Sequence, residues 1–204
     1  MRAVFLCCIA QAPLPDLRHL PPERQARVRQ ALSKRKAKQL AYVWLLLRHA
    51  LIRQGYDPKL LREVRRTEKG KPFFENNSLC FSLSHSGDYV ACALSDEGDI
   101  GVDVQQRRSI PKRFFAPYFS AADLEKLTEE NCCAAWSRKE AVLKAIGDGW
   151  TKENKTGLDT VGCALPGGLR LFGEWITQEY YLAVCATGES APQTLTAEFG
   201  ELYE

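Results

Sequence analysis

The chain has 204 residues, 45% of them hydrophobic and 26% charged, with a formal net charge of +3. That places it among globular chains with a sizeable core, in one large or two small domains. The longest apolar runs, 2–10 and 40–47, are too short to span a bilayer, so no membrane partner is expected. Eight cysteines would suit a disulfide scaffold in a secreted protein, but there is no C-x-x-C pair and no cleavable leader pattern. They read as buried thiols of a cytoplasmic protein.

In chain order, a strand is expected over 3–9. Pro21-Pro22-Glu23 starts a helix that runs over 22–54, breaks near Ser33 and stops at Gly55. Its segment 24–38 carries Arg24, Arg27, Arg29, Lys34, Arg35, Lys36 and Lys38 without an acid. Such a run is a solvated face or a site for a phosphate-bearing ligand or an acidic protein. Nucleic acid is disfavoured, because no aromatic interleaving or recognition module accompanies it. Strands over 79–83 and 89–94 flank a polar turn, 84–88, and a further strand covers 100–104. Helices over 120–128 and 132–146 precede strands over 158–165, 169–176, 180–186 and 195–199. The pattern is α+β, with an N-terminal half, 1–99, and a C-terminal half, 100–204.

Three segments carry chemistry. In WSRKEAVLKA, Trp136 to Ala145, helical spacing sets Glu140 and Lys144 on one edge beside an apolar stripe of Ala135, Val142 and Ile146. Glu followed four residues later by Lys is also an ordinary surface ion pair. Lys139 is less ordinary, since it points close to the apolar stripe and asks for an anion. In IGVDVQQ, Ile100 to Gln106, period-two alternation gives a strand whose Asp103 and Gln105 share one face. Asp is disfavoured in strands. Carboxylates from two segments plus an amide oxygen suit Mg²⁺ completed by substrate phosphates. Third, His85 in the turn Ser84-His85-Ser86-Gly87-Asp88 could meet a phosphate, or be a plain loop histidine.

GKPFF, FSLSHSG, IGVDVQ and WSRKEAVLKA, in this order and spacing between Gly70 and Ala145, resemble the 4'-phosphopantetheinyl transferases of the long, single-chain, surfactin- and enterobactin-activating type. The segment 34–41 is similar to the basic helix of the enterobactin-type members. The resemblance implies two similar α/β halves related by a pseudo-twofold with coenzyme A in the cleft between them, in a chain that needs no second copy. It implies transfer of 4'-phosphopantetheine from coenzyme A, the co-substrate, to a serine of an apo acyl or peptidyl carrier protein, releasing 3',5'-ADP. By position, Asp103 and Glu140 would hold Mg²⁺, Glu140 would act as base and Lys144 would steady the leaving phosphate. Ser84, His85 and Lys139 would face the coenzyme A phosphates, and Lys71 with Pro72 would border the adenine nucleotide.

The chain departs from the family pattern twice. Where many members carry Asp-x-Glu, this chain has Asp103-Val104-Gln105, so Gln105 either ligates as a neutral amide, bonds a metal water or yields to solvent, and weaker Mg²⁺ binding is expected. The arginine that members often carry for the 3'-phosphate falls on Val43 or Trp44, which leaves Arg35, Lys36, Lys38 and Arg48 as nearest candidates. Two other readings stay open: a non-catalytic binder of coenzyme A or of a carrier protein, and a Mg²⁺-dependent phosphoesterase.

Overall fold

The computed structural model describes residues 1–150 and 165–203. Its elements are β1 (Arg2–Cys8), α1 (Pro22–Arg29), α2 (Lys34–Arg53), β2 (Val64–Arg66), β3 (Pro72–Phe74), β4 (Cys80–Ser86), β5 (Tyr89–Ser95), β6 (Ile100–Gln106), α3 (Ala121–Lys126), α4 (Cys132–Ile146), β7 (Leu169–Trp175), β8 (Tyr180–Thr187) and β9 (Gln193–Ala197). The α+β expectation holds. The long basic helix breaks where expected, and Ser33 restarts it by accepting the Lys36 N–H on its hydroxyl. The strand expected over 158–165 lies, but for its last residue, outside the described residues.

Two sheets carry the fold, ordered β4-β5-β1-β9 and β6-β8-β7, beside the small β2-β3 hairpin. The last expected strand does not stay with its sequence neighbours: β9 lies parallel to β1, with Phe5 opposite Leu195. The apolar helix α2 covers the first sheet, burying Tyr42, Leu45, Leu46 and Leu51 against Phe5, Phe81 and Leu94. Among the described residues no helix is long and apolar enough to cross a membrane.

The edges of the two sheets, β4 and β6, meet along a ladder of hydroxyls. Ser82, Ser84 and Ser86 accept the N–H groups of Val102, Val104 and Gln106 at 3.0, 3.2 and 3.1 Å. Serines at alternate positions share one face of a strand, so three side chains take the place of a backbone ladder and satisfy the buried donors of β6. This corrects the turn expected over 84–88. Pairing continues to Ser86 opposite Tyr89, and only Gly87 (φ 55) and Asp88 turn.

The outer face of β6 is covered too. A Cβ at Gly101 would overlap the Ala141 carbonyl of α4, so the glycine is what lets the helix lie directly on the strand. Asp103 lies on this same face, and with α4 seated there it is only 3% exposed. This contact brings the acid of β6 beside the charged edge of α4.

Candidate active site

A cleft of about 630 Å³ opens between β4, β6 and α4 on one side and α1, α2 and the β2-β3 hairpin on the other. Asp103, Gln105, Glu140 and Lys144 form one wall, and Ser84, His85, Lys36, Lys71 and Pro72 also line it. The acidic pair expected from separate segments therefore faces a single space.

Asp103 is held from two directions. Its Oδ1 accepts the Ser84 hydroxyl at 2.7 Å and the Lys144 ammonium at 2.8 Å. Lys144 also donates to the Val102 carbonyl at 3.0 Å, leaving one of its three donors uncommitted by these bonds. Asp103 Oδ2 is buried and has no hydrogen-bond partner among the described residues. A buried carboxylate oxygen of this kind is costly unless a cation or donor meets it.

Glu140 lies one turn before Lys144, with its Oε1 accepting the Trp150 indole N–H at 2.9 Å. Burial pushes its carboxyl above the usual range; Lys144 pulls it down, Asp103 adds to the rise, and the indole bond opposes it. Gln105 accepts the Ser86 hydroxyl on Oε1 at 3.3 Å, so its amide is steered by the same ladder that steers Asp103.

The orphaned Asp103 oxygen beside Glu140 fits a divalent ion. Among the described residues no group of three or more His, Cys, Asp or Glu side chains is arranged to hold a metal ion. The donor set is therefore lean: two carboxylates, with the Gln105 amide at the same wall. That suits Mg²⁺, which keeps waters and takes phosphate oxygens.

Several expected binding residues are committed elsewhere. The Ser84 proton is donated to Asp103, so this hydroxyl orients the acid. His85 belongs to β4 and is no loop residue. Burial, then the charge of Lys36, lowers its imidazole to about 4, and the Lys36 ammonium lies 3.3 Å from Nε2. An ammonium only donates, so Nε2 is an acceptor and the ring is neutral. Lys71 lines the cleft while its ammonium bonds Asp99 at 2.7 Å and the Ala145 carbonyl at 2.6 Å, tying the β2-β3 hairpin to the end of α4.

Lys139 does not line the cleft. It is fully buried on another side of α4, with its ammonium 4.9 Å from the centre of the Phe119 ring, because consecutive residues diverge by about 100°. Of the four cations proposed for the 3'-phosphate, only Lys36 faces the cleft, on the stripe it shares with Leu40, Val43 and Trp44. Arg35 projects towards Asp88, Lys38 donates to the Ala10 carbonyl, and Arg48 lines a separate recess with Arg18, His19 and Arg62. Arg48 is twelve residues beyond Lys36, about 18 Å along the helix.

Arg24, Arg27, Arg66 and Lys69 supply the cationic wall instead. Arg24 is 8% exposed, its guanidinium lies 4.1 Å above the Trp44 ring, and its Nε has no hydrogen-bond partner among the described residues. Burial, with Arg66 and Arg27 in its field, lowers its pKa against the opposing pull of Glu23. The aromatic residue at the departure from the family pattern is thus the platform for an arginine from the preceding helix. Arg24 and Arg27, three apart on α1, carried a sequence signal; Arg66 sits in a hairpin that hydrophobic patterning does not reveal.

Comparison with known proteins agrees with this architecture. Residues 99–194 match the 4'-phosphopantetheinyl transferase superfamily, and residues 13–97 match the N-terminal region of 4'-phosphopantetheinyl transferases. The 4'-phosphopantetheinyl transferase AcpT of Salmonella typhi is 34% identical over 167 residues, 75% of this chain and 81% of that protein. AcpT of Escherichia coli K12 is 34% identical over 150 residues, covering 68% of each chain. The mouse L-aminoadipate-semialdehyde dehydrogenase-phosphopantetheinyl transferase is 28% identical over 155 residues, 65% of this chain and 50% of its own length. With both walls of the cleft falling inside the matched regions, the chain belongs to the 4'-phosphopantetheinyl transferase superfamily and is an enzyme of that class.

Proposed function

We propose that the cleft transfers 4'-phosphopantetheine from coenzyme A to a serine hydroxyl of an apo acyl or peptidyl carrier protein, with Mg²⁺ at Asp103 and Glu140. The observation that carries this reading is the pairing of an orphaned, buried Asp103 oxygen on one wall with a buried, underused arginine on the other. A nucleotide with a pyrophosphate at one end and a ribose phosphate at the other satisfies both.

In this reading Arg24, Arg27 and Arg66 take the 3'-phosphate, with Lys36 beside them. Lys71 and Pro72 border the nucleotide, and Asp103 and Glu140 face the pyrophosphate. The serine oxygen forms a bond to the pantetheine-bearing phosphorus, its proton passes to Glu140 directly or through water, and the bond to 3',5'-ADP breaks. Bound there, Mg²⁺ would supply charge stabilisation at the transferring phosphate. Lys144, anchored by Val102 and Asp103, directs its remaining N–H at the departing phosphate, which carries more charge in the transition state than before it. Gln105 would offer a neutral oxygen to the ion or to one of its waters, so weaker Mg²⁺ binding than at an Asp-x-Glu pair is expected.

Both the carboxylate wall and the cationic wall are supplied within this chain, as a single-chain transferase of the surfactin- and enterobactin-activating type requires. Burial drives the Cys7 and Cys185 thiols up to about 12, and the described cysteines are all unpaired, which supports residence in a reducing cytoplasm. Intact-mass spectrometry of apo carrier proteins of fatty acid, polyketide and peptide synthesis tests the reaction. A gain of one phosphopantetheine that requires Mg²⁺ is expected. Coenzyme A binding with no adduct on any carrier would assign a binding protein instead, and coenzyme A cleavage without a carrier a phosphoesterase.

A further inference from the structure

We infer that Trp150 is a positioning residue for Glu140, fixing the orientation of that carboxylate through a single indole N–H bond; the inference rests on the role proposed above for Glu140. Four linked observations support it. Helix α4 ends at Gly147, whose φ of 82 lets its N–H close on the Leu143 carbonyl at 2.9 Å. Gly149 follows at φ 62, so two left-handed glycines within three residues turn the chain back along the helix it has just left. The returning Trp150 ring stacks on Trp136, with centroids 5.0 Å apart and planes at 21°. Trp136 and Glu140 are one turn apart on α4, so a ring laid on the first has its edge beside the second.

Two properties make the contact more than packing. An indole nitrogen donates and never accepts, so the bond has one sense and always presents a proton to the carboxylate. The ring is fixed independently of that bond, by Trp136 and by Tyr118 at 5.4 Å and 69°, so the N–H stays aimed whether or not a ligand is bound. Glu140 Oε1 is thereby engaged by the indole, and the carboxylate cannot rotate freely in the cleft that Trp150 itself lines. Tyr118 from the segment after β6, Trp136 from α4 and Trp150 from beyond α4 thus form one aromatic clamp on the acid.

Trp150→Phe keeps an aromatic face on Trp136 and removes the donor, and Trp150→Leu is a second donorless variant should the first be unstable. Steady-state transfer to an apo carrier is measured for each, alongside calorimetric binding of coenzyme A with and without Mg²⁺, in wild-type and Glu140→Ala backgrounds. The expected result is a fall in kcat of about tenfold with both KM values within about twofold, the loss of one charge-assisted hydrogen bond. Mg²⁺ should strengthen coenzyme A binding less in Trp150→Phe than in wild type, and the tryptophan change should have no further effect once Glu140 is alanine. Unchanged kcat, a change confined to KM, or an equal effect on binding in the Glu140→Ala background would overturn the inference. Full activity of Glu140→Ala alone would instead remove the role proposed for Glu140, an outcome the two variants separate.

Discussion

The two walls of the cleft are built on opposite principles. The β6-α4 wall is compact and tightly held: Asp103 is paired through Oδ1 with Lys144 and Ser84, keeps Oδ2 without a hydrogen-bond partner among the described residues, and is enclosed by a helix that Gly101 admits. The facing wall draws Arg24, Arg27, Lys36, Arg66 and Lys69 from three separate segments, without an acid to neutralise Arg24 closely, Glu23 standing 3.9 Å away. Chemistry needs fixed geometry and binding needs available charge. Substitutions on the first wall should therefore act on turnover, and those on the second on affinity.

The comparison breaks most visibly at the acids. Asp103→Ala or Glu140→Ala is expected to lower the transfer rate by about three orders of magnitude or more, read by the rate of mass gain on a carrier. A rate within tenfold of wild type would detach that side chain from the chemistry. On the other wall, Arg24→Leu should raise KM for coenzyme A by about ten- to a hundredfold with kcat nearly unchanged, the loss of one charge-assisted contact. Dephospho-coenzyme A, which lacks the 3'-phosphate, should be used equally well by both proteins. If the variant lost both substrates alike, Arg24 would serve the fold and not the ligand.

Gln105→Glu sharpens the first wall. A third carboxylate should lower the Mg²⁺ concentration for half-maximal transfer several-fold, and an unchanged titration would put position 105 outside the metal's reach. The smallest effect concerns His85, whose imidazole titrates near 4 in the fold and near 6.5 when unfolded. Between those values the unfolded chain holds a proton that the folded one does not, so stability is lost as pH falls from about 6.5 towards 4. His85→Asn should flatten the drop in melting temperature over that interval; a parallel drop would assign it to other groups.

Legibility in the sequence divides along the same line. Glu140 and Lys144 could be read together because one helical turn sets their relation, whereas Asp103 of a separate strand was joined to them only by the family resemblance. The α+β pattern was legible because most strands and helices are announced by their own periods, though not which sheet β9 joins. The ladder of Ser82, Ser84 and Ser86 was not, because small polar residues beside Gly-Asp signal a turn until a second strand supplies donors for them. Lys139 misled because an ammonium near an apolar stripe is compatible with a phosphate and equally with an aromatic ring. That Arg24 lines the cleft while Arg35, Lys38 and Arg48 do not depends on how α1 and the β2-β3 hairpin lean across α2, a tertiary relation without local trace. Trp150 could have been suspected from the Gly-Asp-Gly turn before it, though its target could not.

The central claim is that the acids of β6 and α4 hold one divalent ion against a nucleotide whose far phosphate lies on Arg24. Crystals grown with coenzyme A and Mn²⁺ test it directly through anomalous diffraction. The account predicts a single manganese peak bonded by Asp103 and Glu140 and in contact with the pyrophosphate, with the 3'-phosphate at Arg24. A metal peak elsewhere, or a bound nucleotide with no metal between those carboxylates at a Mn²⁺ concentration that supports transfer, would contradict it.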